Sequence, residues 1–131
     1  MSLREDCLVA IQSALVAAGV AGGRIYRTRQ EAISTLPSVV IQPQRDEAEP
    51  AALGRDDHRL TVDIHALAKG DTPDTAADAT LSLIVTTLIG NRSLGLANCE
   101  LLAGHSISWD FQDFDIARAT MSFTYHLRGN F

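Results

Sequence analysis

Four things are scarce in this 131-residue sequence, and each scarcity excludes a class of protein. Positive charge is not in surplus: the formal net charge is −5. No global basic field exists to hold nucleic acid, and any DNA contact has to be local. No apolar run approaches the ~20 residues that a membrane-spanning helix needs. The opening "MSLREDCLV" mixes both charges and does not read as a signal peptide. Cysteine occurs twice, at Cys7 and Cys99, outside any C-x-x-C spacing. That usage predicts a reducing, cytosolic setting, with a single bridge as the less favoured alternative. Lysine occurs once, against ten arginines.

What is present fits one domain spanning residues 1–131, with 46% apolar residues to build one core and 21% charged residues. "SLREDCLVAIQSALVAAG" predicts a helix. Ser2 and Glu5 have capping-box spacing, Leu8, Ile11, Leu15 and Ala18 share a face, and Gly19 suits the end. "RIYR" predicts a short strand and "LPSVVIQP" a longer one, bracketed by Pro37 and Pro43, which limit pairing. Residues 44–57 carry many charges and no periodicity, and predict a mobile arm or a long hairpin loop.

"HRLTVDIHALAKG" alternates with period two, as a half-buried strand does. "TPDTAADATLSLIVTTLIGN" predicts a helix capped by Thr72, opened by Pro73, striped by Ala77, Leu81, Ile84 and Leu88, and stopped at Gly90. "CELLAGHSISWDFQDF" predicts a strand with Ile107, Trp109 and Phe111 on one face. The chain then closes on its most regular strand. Ala117, Ala119, Met121, Phe123, Tyr125 and Leu127 alternate with Arg118, Thr120, Ser122, Thr124, His126 and Arg128. The class is α+β, a mainly antiparallel sheet packed against two helices. Trp109, Phe111, Met121, Phe123 and Tyr125 are expected to share a core with Leu81, Ile84 and Leu88.

Catalytic signatures are weak. "GHSIS" misses the nucleophile elbow because Ser108 stands where glycine is needed and a strand follows Ser106 instead of a helix. The glycines of "GVAGG" match no nucleotide fingerprint. Asp56, Asp57, His58, Asp63 and His65 form the best metal candidate, since Asp63 and His65 share a strand face. His58 has the opposite parity, and a solvated polar face is the plainer reading. Cys7, near a helix start, has no placed histidine partner and reads as a small buried residue. No catalytic residue, metal or cofactor is assigned, and the protein is expected not to be an enzyme.

Arginine is the informative residue type. Arg24, Arg27 and Arg29 surround Tyr26, while Glu47, Glu49, Asp56, Asp57, Asp110, Asp113 and Asp115 lie in two acidic stretches. The guanidinium fork binds carboxylates in pairs of hydrogen bonds and is enriched at interfaces. Two readings stand: a solvated surface of mixed sign, or complementary patches joining one subunit to the next, head to tail. On the second, the candidate contacts are Arg24, Arg27, Arg29, Arg45, Glu47 and Glu49, with Arg55, Arg59, Asp113, Arg118, His126 and Arg128.

The order of opening helix, "RIYRTR" leading to "LPSVVIQPQRDEAE", "RLTVDIHALAKG", the central helix and the closing "SISWDFQDFDIARATMSFTYHLRG" resembles the tail terminator proteins of long-tailed bacteriophages. These are of the minor tail protein U type, with related tail-completion proteins. The resemblance spans nearly the whole chain in order and spacing. It implies a structural virion protein without catalytic residues, forming a ring, commonly a hexamer, that ends tail-tube polymerisation and offers a docking surface to the head. The implied partners are further copies of itself, the tail tube protein and head–tail connector proteins, with DNA passing through the pore. It also implies location in the virion tail, after assembly in the host cytoplasm, and a prophage origin is compatible. A head-completion protein of the same neck region would share these patterns. A small cytoplasmic ligand- or metal-binding module using Asp63 and His65 is the competing class.

Overall fold

The computed structural model describes residues 2–27, 37–52, 55–102, 106–113 and 116–129, with only the backbone at 49–52, 55–56, 111–113 and 129. Arg29 and the Gly104 and His105 of "GHSIS" lie outside these residues. The elements run α1 (Leu3–Ala17), a 3-10 turn (Val20–Gly23), β1 (Ile25–Tyr26), β2 (Ser38–Ala52), β3 (Arg55–Lys69), α2 (Pro73–Ile89), β4 (Cys99–Leu101), β5 (Ile107–Asp113) and β6 (Ile116–Gly129). The fold is α+β, with two helices and a six-stranded, mostly antiparallel sheet among the described residues.

Local chemistry explains the helix ends. Ser2 Oγ accepts from the Glu5 amide at 3.1 Å, which satisfies one of the first-turn donors. The Glu5 carboxylate does not return to the cap; it receives both terminal nitrogens of Arg27, at 3.0 and 3.1 Å. That hydrogen bond, with the guanidinium charge, holds the Glu5 carboxyl below its ordinary range. Gly19 follows the helix at φ 72°, the left-handed position that favours glycine. Thr72 precedes α2 but its hydroxyl makes no capping bond; Pro73 at the first helical position sets that start.

The strands run β1-β2-β3-β6 in space, β1 joining β2 in parallel and the others antiparallel. The far edge of β6 is shared by two short strands. β5 pairs its first half, from Ile116 to Met121, and β4 pairs Tyr125–Leu127. "CELLAGHSISWDFQDF" therefore supplies two strands, where one was expected. β3 and β6 pair without interruption from Asp56 opposite Gly129 to Lys69 opposite Ile116.

Residues 44–52 and 55–57 are strand and not loop, while 53–54 lie outside the described residues. β2 continues through Pro43, which pairs with Val62, and stays paired with β3 to Ala52 opposite Arg55. Pro43 is tolerated because the ladder breaks beside it: Gln44 is an extra residue, forming a β-bulge between Pro43 and Arg45. One inserted residue reverses the face of everything after it. Before the bulge Val39 and Ile41 lie on the face of Ala66 and Ile64; beyond it Asp46 and Ala48 share that face with Leu60 and His58. Periodicity fails across residues 44–57 because the strand's parity switches and the core-side positions there are polar.

Both helices cover the same face. α2 lies over β3 and β6, and α1 against β1, β2, the 3-10 turn and α2. The buried cluster joins Cys7, Leu8, Ile11 and Leu15 of α1 to Ala77, Leu81, Ile84 and Leu88 of α2. It includes Leu60, Val62 and Ile64 of β3 and Met121, Phe123, Tyr125 and Leu127 of β6. Ala18, expected on the buried face of α1, is exposed. Trp109 and Ile107 depart further from expectation. Their register places them on the core face, opposite Ala119 and Met121, yet they are 42% and 46% exposed. β5 is an edge strand beyond the two strands that α2 covers, so a shared face does not bring burial. The Phe111 side chain lies outside the description.

Candidate interaction surface on the polar sheet face

The face opposite the helices is a hydrogen-bonded polar array on β2, β3 and β6. Its residues are the off-parity set of each strand, which alternation turns away from the core. His65 lies between Gln42 and Thr120: Nε2 is 2.9 Å from Gln42 Oε1 and Nδ1 is 2.7 Å from Thr120 Oγ1. The Ser122 hydroxyl donates to Asp63 Oδ1 at 2.6 Å. The Thr61 and Thr124 hydroxyls meet at 3.3 Å. Further along, His126 Nε2 donates to Asp57 Oδ2 at 3.1 Å, and at the β5 edge Arg118 donates to Asp110 at 2.8 Å.

These partners bear on the metal candidate. Asp63 and His65 do share a face, as their spacing requires, but each is engaged by a hydroxyl of β6. His58 lies on the core side, bonded to Asp46 at 2.9 Å. Asp57 is drawn to His126, and the Asp56 side chain is not described. Among the described residues no group of three His, Cys, Asp or Glu side chains is placed to hold an ion.

The proposed arginine contacts divide in the same way. Arg24 Nε donates to the Pro37 carbonyl at 2.8 Å, Arg27 pairs with Glu5, and Arg45 meets Glu47 at 2.9 Å. Arg118 pairs with Asp110. These arginines are engaged within their own chain, in partly exposed pairs of the kind worth ~0–1 kcal/mol each. Arg59 stands exposed in register between Glu47 and His126. Arg128 is exposed, opposite Asp57. The backbones of Glu49, Arg55 and Asp113 are in strands, but their side chains are not described. A cleft of about 130 Å³ opens where β4 meets β6, lined by Ala97, Asn98, Cys99, Glu100, His126 and Arg128.

Two constellations were not anticipated from sequence. Arg4 of α1 donates to Asp46 at 2.7 Å while His58 bonds the same carboxylate, so the bulge turns an acidic residue toward the helix side. Cys7 and Cys99 lie in one buried cluster with Tyr125. No signal along the chain brings those two cysteines together; only the packing of α1 over the sheet does.

No family model matches the chain, and no curated protein matches it in sequence. Among solved structures the fold has a counterpart. A chain in the virion of a native gene transfer agent particle superposes with a TM-score of 0.62 at 17% identity, over 93% of this chain and 94% of that one. From end to end, this chain shares its fold with a component of that particle.

Proposed function

We propose that the chain is a structural protein of a phage-like particle, and that within it the chain acts as a tail terminator. It forms a ring, commonly of six copies, caps the tail tube, ends its polymerisation and prepares the tail for joining to the head. One observation carries the reading: the fold correspondence with a virion chain runs nearly the whole length of both molecules. The polar sheet face supports a role in contact rather than catalysis, since Asp63, His65 and His126 each already have a hydrogen-bond partner. Partners on this reading are further copies of the chain, the tail tube protein and head–tail connector proteins, with DNA passing through the pore. Its place is the virion tail, after assembly in the host cytoplasm. A head-completion protein of the same neck region fits the same correspondence, because that match names a virion and not a position within it.

Assembly through exposed charges such as Arg45, Glu47 and Arg128 is screened by salt, because the Debye length falls from ~10 Å at 0.1 M to ~3 Å at 1 M. Light scattering over a protein and salt series should show a monomer or weak association, or a ring of about six, with self-association weakening as salt rises. A tight dimer indifferent to salt overturns the ring.

A further inference from the structure

The sheet has an open edge on each side, and the two differ in kind. Among the described residues β5 pairs only with β6, and Ile107, Ser108, Trp109 and Asp110 are exposed on both of its faces. This edge is unprotected: the strand has no proline and no lysine, and it shows two large apolar side chains, Ile107 and Trp109. On the other side β1 pairs only with Val39 and Val40 of β2. Beyond them the outer edge of β2 has no strand partner among the described residues. Pro43 and Pro50 lack an amide hydrogen, and they frame a window on that edge, Arg45–Glu49, just past the bulge. We propose that the β5 edge of one copy takes this window of β2 from a second copy as its next strand, antiparallel, with Asp110 opposite Arg45 and Ile107 opposite Ala48. This rests on the self-assembly in the reading above, and not on the place of the protein in a tail.

Direction, face and charge each select this pairing. β5 and β3 both run antiparallel to β6, and β2 runs antiparallel to β3. β2 and β5 therefore point in opposite directions, and a second copy set side by side presents its β2 antiparallel to β5. Ile107 and Trp109 lie on the helix side of the sheet, as do Asp46 and Ala48, while Asp110, Arg45 and Glu47 lie on the polar side. A slip of one residue would set these faces against each other. The register named brings the exposed pair Arg45–Glu47 against the pair Arg118–Asp110, so that cations and carboxylates interleave. Slipping two residues either way sets Asp110 opposite Glu47 or Pro43 instead. Pairing β5 with itself is disfavoured, because the strand carries Asp110 and Asp113 and no basic residue. Trp109 comes to lie opposite Asp46, whose carboxylate holds Arg4, a cation for the indole face.

Trp109 is the only tryptophan, so its emission reports on this edge alone. The test follows that emission and its quenching by acrylamide, with light scattering, as the protein concentration is raised at low salt. As the scattering mass rises, emission should move to shorter wavelength and quenching should fall, and both should reverse near ~1 M salt. Assembly that leaves Trp109 emission unchanged overturns this interface while the tail-cap reading stands. A protein that stays monomeric throughout overturns it too. The second measurement mixes Ala48→Cys and Ile107→Cys, both at exposed positions, under mild oxidation. Directly opposed Cβ atoms are about 5 Å apart, within reach of a disulfide. The mixture should give a linked dimer on a non-reducing gel that neither variant gives alone. A dimer from Ile107→Cys alone, or none from a mixture that scatters as an assembly, overturns the pairing.

Discussion

Truncation of Phe123 to alanine is expected to cost about 3–5 kcal/mol, the range for removing a large buried aromatic. Phe123 is 1% exposed, at the middle of β6, opposite Val62 and in one buried cluster with Leu81, Ile84 and Leu88 of the helix above. The void has no easy filler, because strand pairing fixes Met121 and Tyr125 on either side. For a domain whose whole stability is ~5–15 kcal/mol, such a loss brings unfolding close to ambient temperature. The next core position should behave oppositely. Tyr125 is fully buried, and its hydroxyl has no partner among the described residues. Tyr125→Phe removes that buried polar atom and should leave stability unchanged or raise it by about 1 kcal/mol. Denaturant melts of the two variants check both. A Phe123→Ala loss under ~1 kcal/mol would mean that α2 does not cover β6 as described.

Asp46→Ala should be the most damaging polar change, costing about 2–3 kcal/mol. Its carboxylate takes Arg4 from α1 at 2.7 Å and His58 from β3 at 2.9 Å, so one side chain ties the helix start to both strands of the long hairpin. The His58 side chain is 10% exposed, so loss of this acceptor is not made good by bulk water. Arg128→Ala, by contrast, alters an exposed residue and should fall within ~0.5 kcal/mol. Comparing the thermal melts of the two variants separates a network contribution from a general charge effect. Equal melts for both would show the Asp46 contacts to be incidental.

Regular periodicity was the legible part of the fold. β6, the part of β3 from Leu60 to Ala68 and the stripe of α2 could be read directly, because the side chains facing the core there are apolar at nearly every repeat of the element. The distal half of the long hairpin was not legible. There the core-side positions are Asp46, Ala48 and His58, held by ion pairing to α1, and the bulge at Gln44 reverses the parity that a period-two reading follows. Trp109 shows a different limit. Alternation tells which residues share a face, but not how far the helices extend over it, and β5 lies beyond their cover. The polar sheet face was half legible: Asp63 and His65 were correctly placed together, but their partners Ser122 and Thr120 are set by register between strands nearly 60 residues apart. That Cys7 and Cys99 fall in one buried cluster depends wholly on tertiary packing.

The capping role itself is tested most directly by electron microscopy of particles made in cells from which this gene has been deleted. Tail tubes that overrun their normal length and carry no heads are the predicted result, since nothing then ends polymerisation or prepares the tail for joining. Tubes of normal length left unjoined to heads would contradict the cap and point to head completion, and intact particles with normal tails would contradict any structural role in the virion.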